Sequence, residues 1–125
     1  MFAVTVFDAS ALLAFLQGEA GCDVVESKLA SDDSHCSAAN WSEVAQKVRA
    51  SGRDWRTSRA LLVGYGIEVA SVTADDAEAA AAMWQRGDAL SLADRLCLAL
   101  GHRLTAEVCT ADAAWGGRTG VTVIR

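Results

Sequence analysis

The chain opens on an unbroken apolar and β-branched run, Val4-Thr5-Val6-Phe7, which meets a carboxylate at Asp8 and passes at once into a helical pattern. A short run of this kind predicts a strand buried on both faces, as in a parallel sheet. Leu12, Leu13, Phe15 and Leu16 then mark one face of a helix over Ser10 to Gln17, stopped by Gly18 and Gly21. A second helix over Cys22 to Ala30 is expected to turn Val24, Val25 and Leu29 inward. Ser31 to Ser34 reads as a loop and His35 to Ala38 as a short buried strand. Asn40-Trp41-Ser42-Glu43 opens a helix running to Ala50, with Val44 and Val48 toward the core and Ser51-Gly52 closing it.

The second half repeats the alternation. A helix is expected over Trp55 to Val63, closed by Gly64 and Gly66, followed by a strand at Ile67 to Ala70. Thr73-Ala74-Asp75-Asp76 caps an alanine-rich helix over Ala77 to Arg86 with Gly87 after it. The next helix, Ser91 to Leu100, stacks Leu92, Leu96 and Leu100 and ends at Gly101. Val108 to Thr110 is a strand running out at Asp112, and Val121 to Ile124 is the last. Strands alternating with helices, without repeats or long linkers, predict an α/β fold with a mainly parallel sheet, in one domain over residues 1–125.

Composition narrows the chemistry. A 52% hydrophobic content supports a core and argues against disorder. The apolar runs are too short for a membrane span, and the first one carries Asp8 and no basic residues before it, so a cytoplasmic protein is expected. Cys22, Cys36, Cys97 and Cys109 form no C-x-x-C pair and read as free thiols; neither His35 nor His102 lies at zinc-ligand spacing from one. A net charge of −5 argues against nucleic-acid binding driven by overall basicity. Locally, however, Lys47, Arg49, Arg53, Arg56 and Arg59 surround a single acid, Asp54, and Arg49, Arg53 and Arg56 are candidate contacts for an RNA backbone.

Asp8, Glu43, Asp94 and Asp112 are the candidate catalytic residues. Each also has a structural explanation, since Asn40-x-x-Glu43 and Ser91-x-x-Asp94 match a capping box, and Asp8 and Asp112 can each cap a helix that starts just after them. In a parallel α/β sheet, though, all four would project from one edge. Two carboxylates about 6 Å apart repel by roughly 3 kcal/mol at an effective dielectric of about 20. A helix N-terminus returns only about 0.3–1 kcal/mol to each. Such a cluster needs a cation unless its members are protonated or spread apart. Oxygen ligands alone favour Mg²⁺, with Mn²⁺ as a substitute, and a carboxylate-held Mg²⁺ suits phosphodiester hydrolysis. Ser10 and Thr110 can donate to a site carboxylate or to a phosphate oxygen.

The segments Val6-Phe7-Asp8-Ala9-Ser10-Ala11-Leu12-Leu13, Asn40-Trp41-Ser42-Glu43-Val44, Leu90-Ser91-Leu92-Ala93-Asp94-Arg95 and Thr110-Ala111-Asp112-Ala113-Ala114-Trp115 together resemble the PIN domain, and within it the VapC toxin branch. The resemblance spans nearly the whole chain. It implies a three-layer α/β/α fold and a Mg²⁺-dependent endoribonuclease, with Asp8, Glu43, Asp94 and Asp112 as metal ligands and Ser10 and Thr110 beside them. It also implies neutralisation by a cognate VapB-like antitoxin, and a toxin homodimer. Asp88 lies close enough to the third segment to contribute.

Competing classes are weaker. A phosphoryl-accepting receiver domain needs a lysine near the carboxyl end, and the last lysine here is Lys47. A haloacid-dehalogenase-type phosphatase wants an Asp where Ser10 stands, and no Gly-rich nucleotide loop follows the first strand. A catalytically weak binding module of the same fold is the alternative, and a DNA substrate remains open. Trp41 and Trp115 are expected to pack rather than to stack on a base.

Overall fold

The computed structural model describes residues 3–125. Five strands, β1 (Val4–Phe7), β2 (Asp33–Ser37), β3 (Glu68–Ala70), β4 (Glu107–Thr110) and β5 (Val121–Val123), form one sheet in the order β3-β2-β1-β4-β5. Every pairing is parallel. Six helices connect them: α1 (Ala9–Gln17), α2 (Cys22–Ser31), α3 (Ala38–Ala50), α4 (Trp55–Gly64), α5 (Ala74–Ala82) and α6 (Leu92–Leu104).

Strand alternation assigns the helices to two layers. Phe7, Cys36 and Cys109 face a core built with Leu12, Leu13, Val25, Leu29, Val44, Val48 and Leu62 from α1 to α4. Val6 and Val108 face the other way, onto Cys97 and Leu100 of α6 and onto Trp115. The result is the expected α/β/α arrangement. Connections leave β1 toward β2 on one side and β4 toward β5 on the other, so the order reverses between β1 and β4. At such a switch point the carboxyl ends of the two central strands flank a crevice, the usual ligand position in open α/β sheets.

Several local expectations are corrected. β2 begins at Asp33, within the expected loop, and α3 begins at Ala38 behind an N-cap at Ser37, so Asn40-x-x-Glu43 does not form a capping box. Val24 and Leu92 are 38% and 57% exposed, leaving Val25 with Leu29, and Leu96 with Leu100, to carry their helices' inner faces. α5 begins at Ala74 and stops at Ala82, short of the expected Arg86. Arg95 Nη1 donates to the Ala80 carbonyl at 2.8 Å, the acceptor that Trp84 N–H would need to continue the helix, and Trp84 N instead reaches Ala81 O at 3.1 Å. α6 continues through Gly101 to Leu104. Gly101 is a point of close approach: a Cβ there would lie 2.5 Å from Val108 Cγ2, so glycine lets α6 lie down on β4.

Candidate active site

The two strands at the switch point each end in a side chain of the site. Asp8 follows β1 in extended conformation and caps α1, its Oδ1 accepting from Ala11 N at 2.8 Å. Ser10 Oγ, in the first turn of that helix, lies 2.8 and 2.9 Å from the two carboxylate oxygens. Thr110, the last residue of β4, donates to Asp8 Oδ2 at 2.6 Å. The hydroxyls are themselves oriented from β4's exit, because Ala111 N donates to Ser10 Oγ at 2.9 Å and Asp112 N to Thr110 Oγ1 at 3.0 Å. Ser10 and Thr110 thus both bond the Asp8 carboxylate, Thr110 from across the sheet rather than bonding the carboxylate of its near neighbour Asp112.

Asp8 is 3% exposed and has no cationic partner among the described residues. Burial raises its pKa above the ordinary carboxylate value; Thr110, Ala11 N and Ser10 oppose that by bonding the ionised form, and the charge of Asp94 adds to it. The charge of a buried carboxylate is therefore held by neutral donors alone.

Asp94 occupies the third position of α6, where it completes the expected capping box: Ser91 N donates to Asp94 Oδ2 at 2.9 Å and Asp94 N to Ser91 Oγ at 3.1 Å. Glu43 lies one turn after Asn40 on α3, and Asn40 Nδ2 donates to its Oε1 at 3.0 Å. Beneath them, burial chiefly, then the charges of Asp8, Cys36, Asp94 and Glu43, push the Cys97 thiol well above its ordinary value. Asp112 lies further out, an exposed residue capping a single 3-10 turn (Ala113–Trp115) through Ala114 N at 2.9 Å. It joins Asp8 only through its own backbone N–H and the Thr110 hydroxyl.

Asp94 and Asp112 each commit one carboxylate oxygen to a cap, and among the described residues no three acid, histidine or cysteine side chains converge closely enough to hold a metal as they stand. The donor chemistry nevertheless fits a hard divalent cation. The available ligands are carboxylate oxygens, the thiols of Cys36 and Cys97 are held protonated by burial, and Asp8 is a buried charge without a counterion among the described residues. A second buried atom is also unanswered: Asn40 Oδ1, on a side chain 1% exposed, has no partner among the described residues. Such an orphan costs about 1–3 kcal/mol and calls for a water or ion.

The arginine candidates lie apart from the acids. Arg49, Arg53 and Arg56 line a pocket of about 500 Å³ with Gly52, Asp54 and Trp55, at the end of α3 and the start of α4. Arg53 Nη1 donates to Leu16 O at 3.0 Å, near the end of α1. Leu16 lies eight residues past Asp8, about 12 Å down that helix at about 1.5 Å per residue, so the pocket sits at the opposite end of α1 from the acids. Asp88 accepts from Leu90 N at 3.2 Å and pairs loosely with Arg118 at 3.9 Å. Trp115 is buried, and Trp41 packs edge-on against Trp55 with ring centres 5.2 Å apart, so packing is the role both display.

Asn40 is the site residue that the motifs did not single out for itself. A signal existed: with the helix running through Ala38, Asn40, Val44 and Val48 fall on one stripe, and an amide there is a polar group at a core position.

Comparison with known proteins agrees with this architecture. A toxin–antitoxin complex from Klebsiella pneumoniae superimposes with a TM-score of 0.78 at 22% identity, covering 97% of this chain and 98% of the other. VapC20 of Mycobacterium tuberculosis, a toxin that cleaves the sarcin–ricin loop, gives 0.68 at 19% identity over 87% and 90% of the two chains. VapBC2 of Rickettsia felis, bound to a DNA fragment of its promoter, gives 0.68 at 12% identity over 96% of each. No curated protein matches the chain by sequence. At these identities the likeness is one of fold. The sequence itself matches the PIN domain model over residues 5–116, from the first strand through the turn after Asp112, and the chain belongs to the PIN domain family.

Proposed function

We propose that the protein is a VapC-type toxin, a metal-dependent endoribonuclease that hydrolyses RNA phosphodiester bonds and is neutralised by a cognate VapB-like antitoxin. The observation that carries this reading is Asp8, a buried carboxylate at the switch point with hydroxyl donors, acidic neighbours and no cationic partner among the described residues. Asp8, Glu43, Asp94 and Asp112 would hold Mg²⁺ or Mn²⁺, with Asp94 and Asp112 each using the oxygen that its cap leaves over. When bound, the cation supplies Lewis-acid polarisation of a phosphoryl oxygen and a more acidic water. The protein's part is positional: Ser10 and Thr110 hold the Asp8 carboxylate in one orientation, and the acids orient the attacking water. The arginine pocket would receive the RNA backbone well beyond the cut. A homodimer, a cytoplasmic location and a single domain over residues 1–125 belong to the same proposal.

The structural neighbours described as toxins support it, one of them being described as a toxin that cleaves the sarcin–ricin loop. The test is cleavage of a labelled structured RNA pool by partner-free protein, with Mg²⁺, with Mn²⁺ and with chelator, beside a folded Asp94→Asn variant. Metal-dependent cutting by the unsubstituted protein alone is expected. Equal cutting by both proteins, or cutting that ignores the chelator, would sink the assignment. The wide spacing of the acids favours a second reading, a binding module of the same fold, and RNA binding without cutting under every metal condition would establish it.

A further inference from the structure

Asn40 is buried on the core stripe of α3, where an apolar side chain of similar volume would pack without an orphan oxygen. Its amide nitrogen bonds in two directions. It donates to Glu43 Oε1 on its own helix at 3.0 Å and to Ala93 O in the first turn of α6 at 3.5 Å. Both partners are acceptors, which fixes the amide with nitrogen toward them and Oδ1 away. Ala93 immediately precedes Asp94, so one side chain ties the carboxylate of Glu43 to the turn that presents the next acid. Without that tie a glutamate with three rotatable bonds is free to swing away from its like-charged neighbours.

We infer that Asn40 is a positioning residue of the acidic site, its amide tying Glu43 to the α6 turn that carries Asp94, so that two of the four acids are held in relation to each other before a divalent cation draws in the rest. This rests on the reading that the acids bind a cation, and concerns how they are arranged to do so. Removing a group that orients a metal-binding carboxylate typically weakens metal binding about 10–100-fold.

The test is titration of the full chain with Mn²⁺ by calorimetry, without RNA, for the unsubstituted protein, Asn40→Leu, Glu43→Gln and the double variant, with melting followed in chelator. Asn40→Leu keeps the volume and removes both donor and orphan acceptor. It is expected to bind Mn²⁺ at least about tenfold more weakly at an unchanged or higher melting temperature. In the Glu43→Gln background it should add little, because its effect runs through that carboxylate. Mn²⁺ affinity equal to that of the unsubstituted protein, or effects that add in full, would overturn the inference. Should Asn40→Leu fail to fold, Asn40→Ala supports the same comparison. Mn²⁺ binding by the unsubstituted protein with no loss in either variant removes Asn40 alone; no Mn²⁺ binding by the unsubstituted protein removes this inference and the cation site together.

Discussion

Asp8 and Asp76 are both buried carboxylates at helix N-termini, 3% and 5% exposed, yet the protein treats their charges in opposite ways. Asp76 completes a capping box with Thr73 and receives the Arg103 guanidinium as a fork, Nε at 2.9 Å and Nη2 at 3.0 Å. That fork, reinforced by the Thr73 bonds, holds its carboxyl below the ordinary value although burial opposes it. Asp8 receives only hydroxyls and a backbone N–H, and burial prevails. A carboxylate given its cation by the fold is a structural element, pinning α5 to α6. One without a cation in the same chain is, on the proposed function, the place that a cation from outside would occupy.

Substitution at the two positions sharpens the contrast. Asp8→Asn should lower metal-dependent RNA cleavage at least about a hundredfold, while its melting temperature in chelator stays close to that of the unsubstituted protein. Asp76→Asn should do the reverse. Losing a bidentate charged bond costs about 1–3 kcal/mol, seen as a melting temperature several degrees lower, with cleavage per folded molecule retained. If Asp8→Asn destabilises as much as Asp76→Asn, the two sites are not different in kind.

Acidity separates them with opposite sign. The folded pKa of Asp76 lies below 3.8, so its contribution is complete above that pH and is lost as pH falls through the folded value. The folded pKa of Asp8 lies above 3.8, so its contribution is complete below that pH and is lost as pH rises through the folded value. Urea unfolding of metal-free protein, scanned from about pH 2 to about pH 7, should show Asp76→Asn flattening the acid limb and Asp8→Asn flattening the loss on the other side. The smallest effect expected is at the arginine pocket. Changing Arg49, Arg53 and Arg56 to Ala should reduce the salt slope of single-stranded RNA binding by about 2, at about 0.7 per phosphate contact. An unchanged slope would remove the pocket from the RNA path.

The fold was legible because its signals are local and strong. The run Val4 to Phe7 and the stripe Val44–Val48 announce burial whatever surrounds them. The ends of α5 and α6 were not legible for the same physical reason in mirror image. A carbonyl of α5 is taken by Arg95, fifteen residues away, and Gly101 reads as a stop until the proximity of Val108 is known. At the site, the four acids could be singled out by type and by their likeness to a family pattern. What each carboxylate is bonded to could not be read, because the partners of Asp8 include Thr110 and those of Asn40 include Ala93. The capping-box reading was right for Asp94 and wrong for Glu43, since α3 starts at Ala38, three residues before the motif assumed.

The bond from Thr110 to Asp8 joins residues 102 positions apart. Contacts of such separation form late in folding, after shorter loops have closed. A ribosome-bound chain whose β4 has not yet emerged lacks the hydroxyl that orients Asp8 and the whole of the Asp112 turn. The arrangement of the crevice therefore depends on closure between the first and fourth strands, and any loosening of β4 would release the orientation of Asp8 with it.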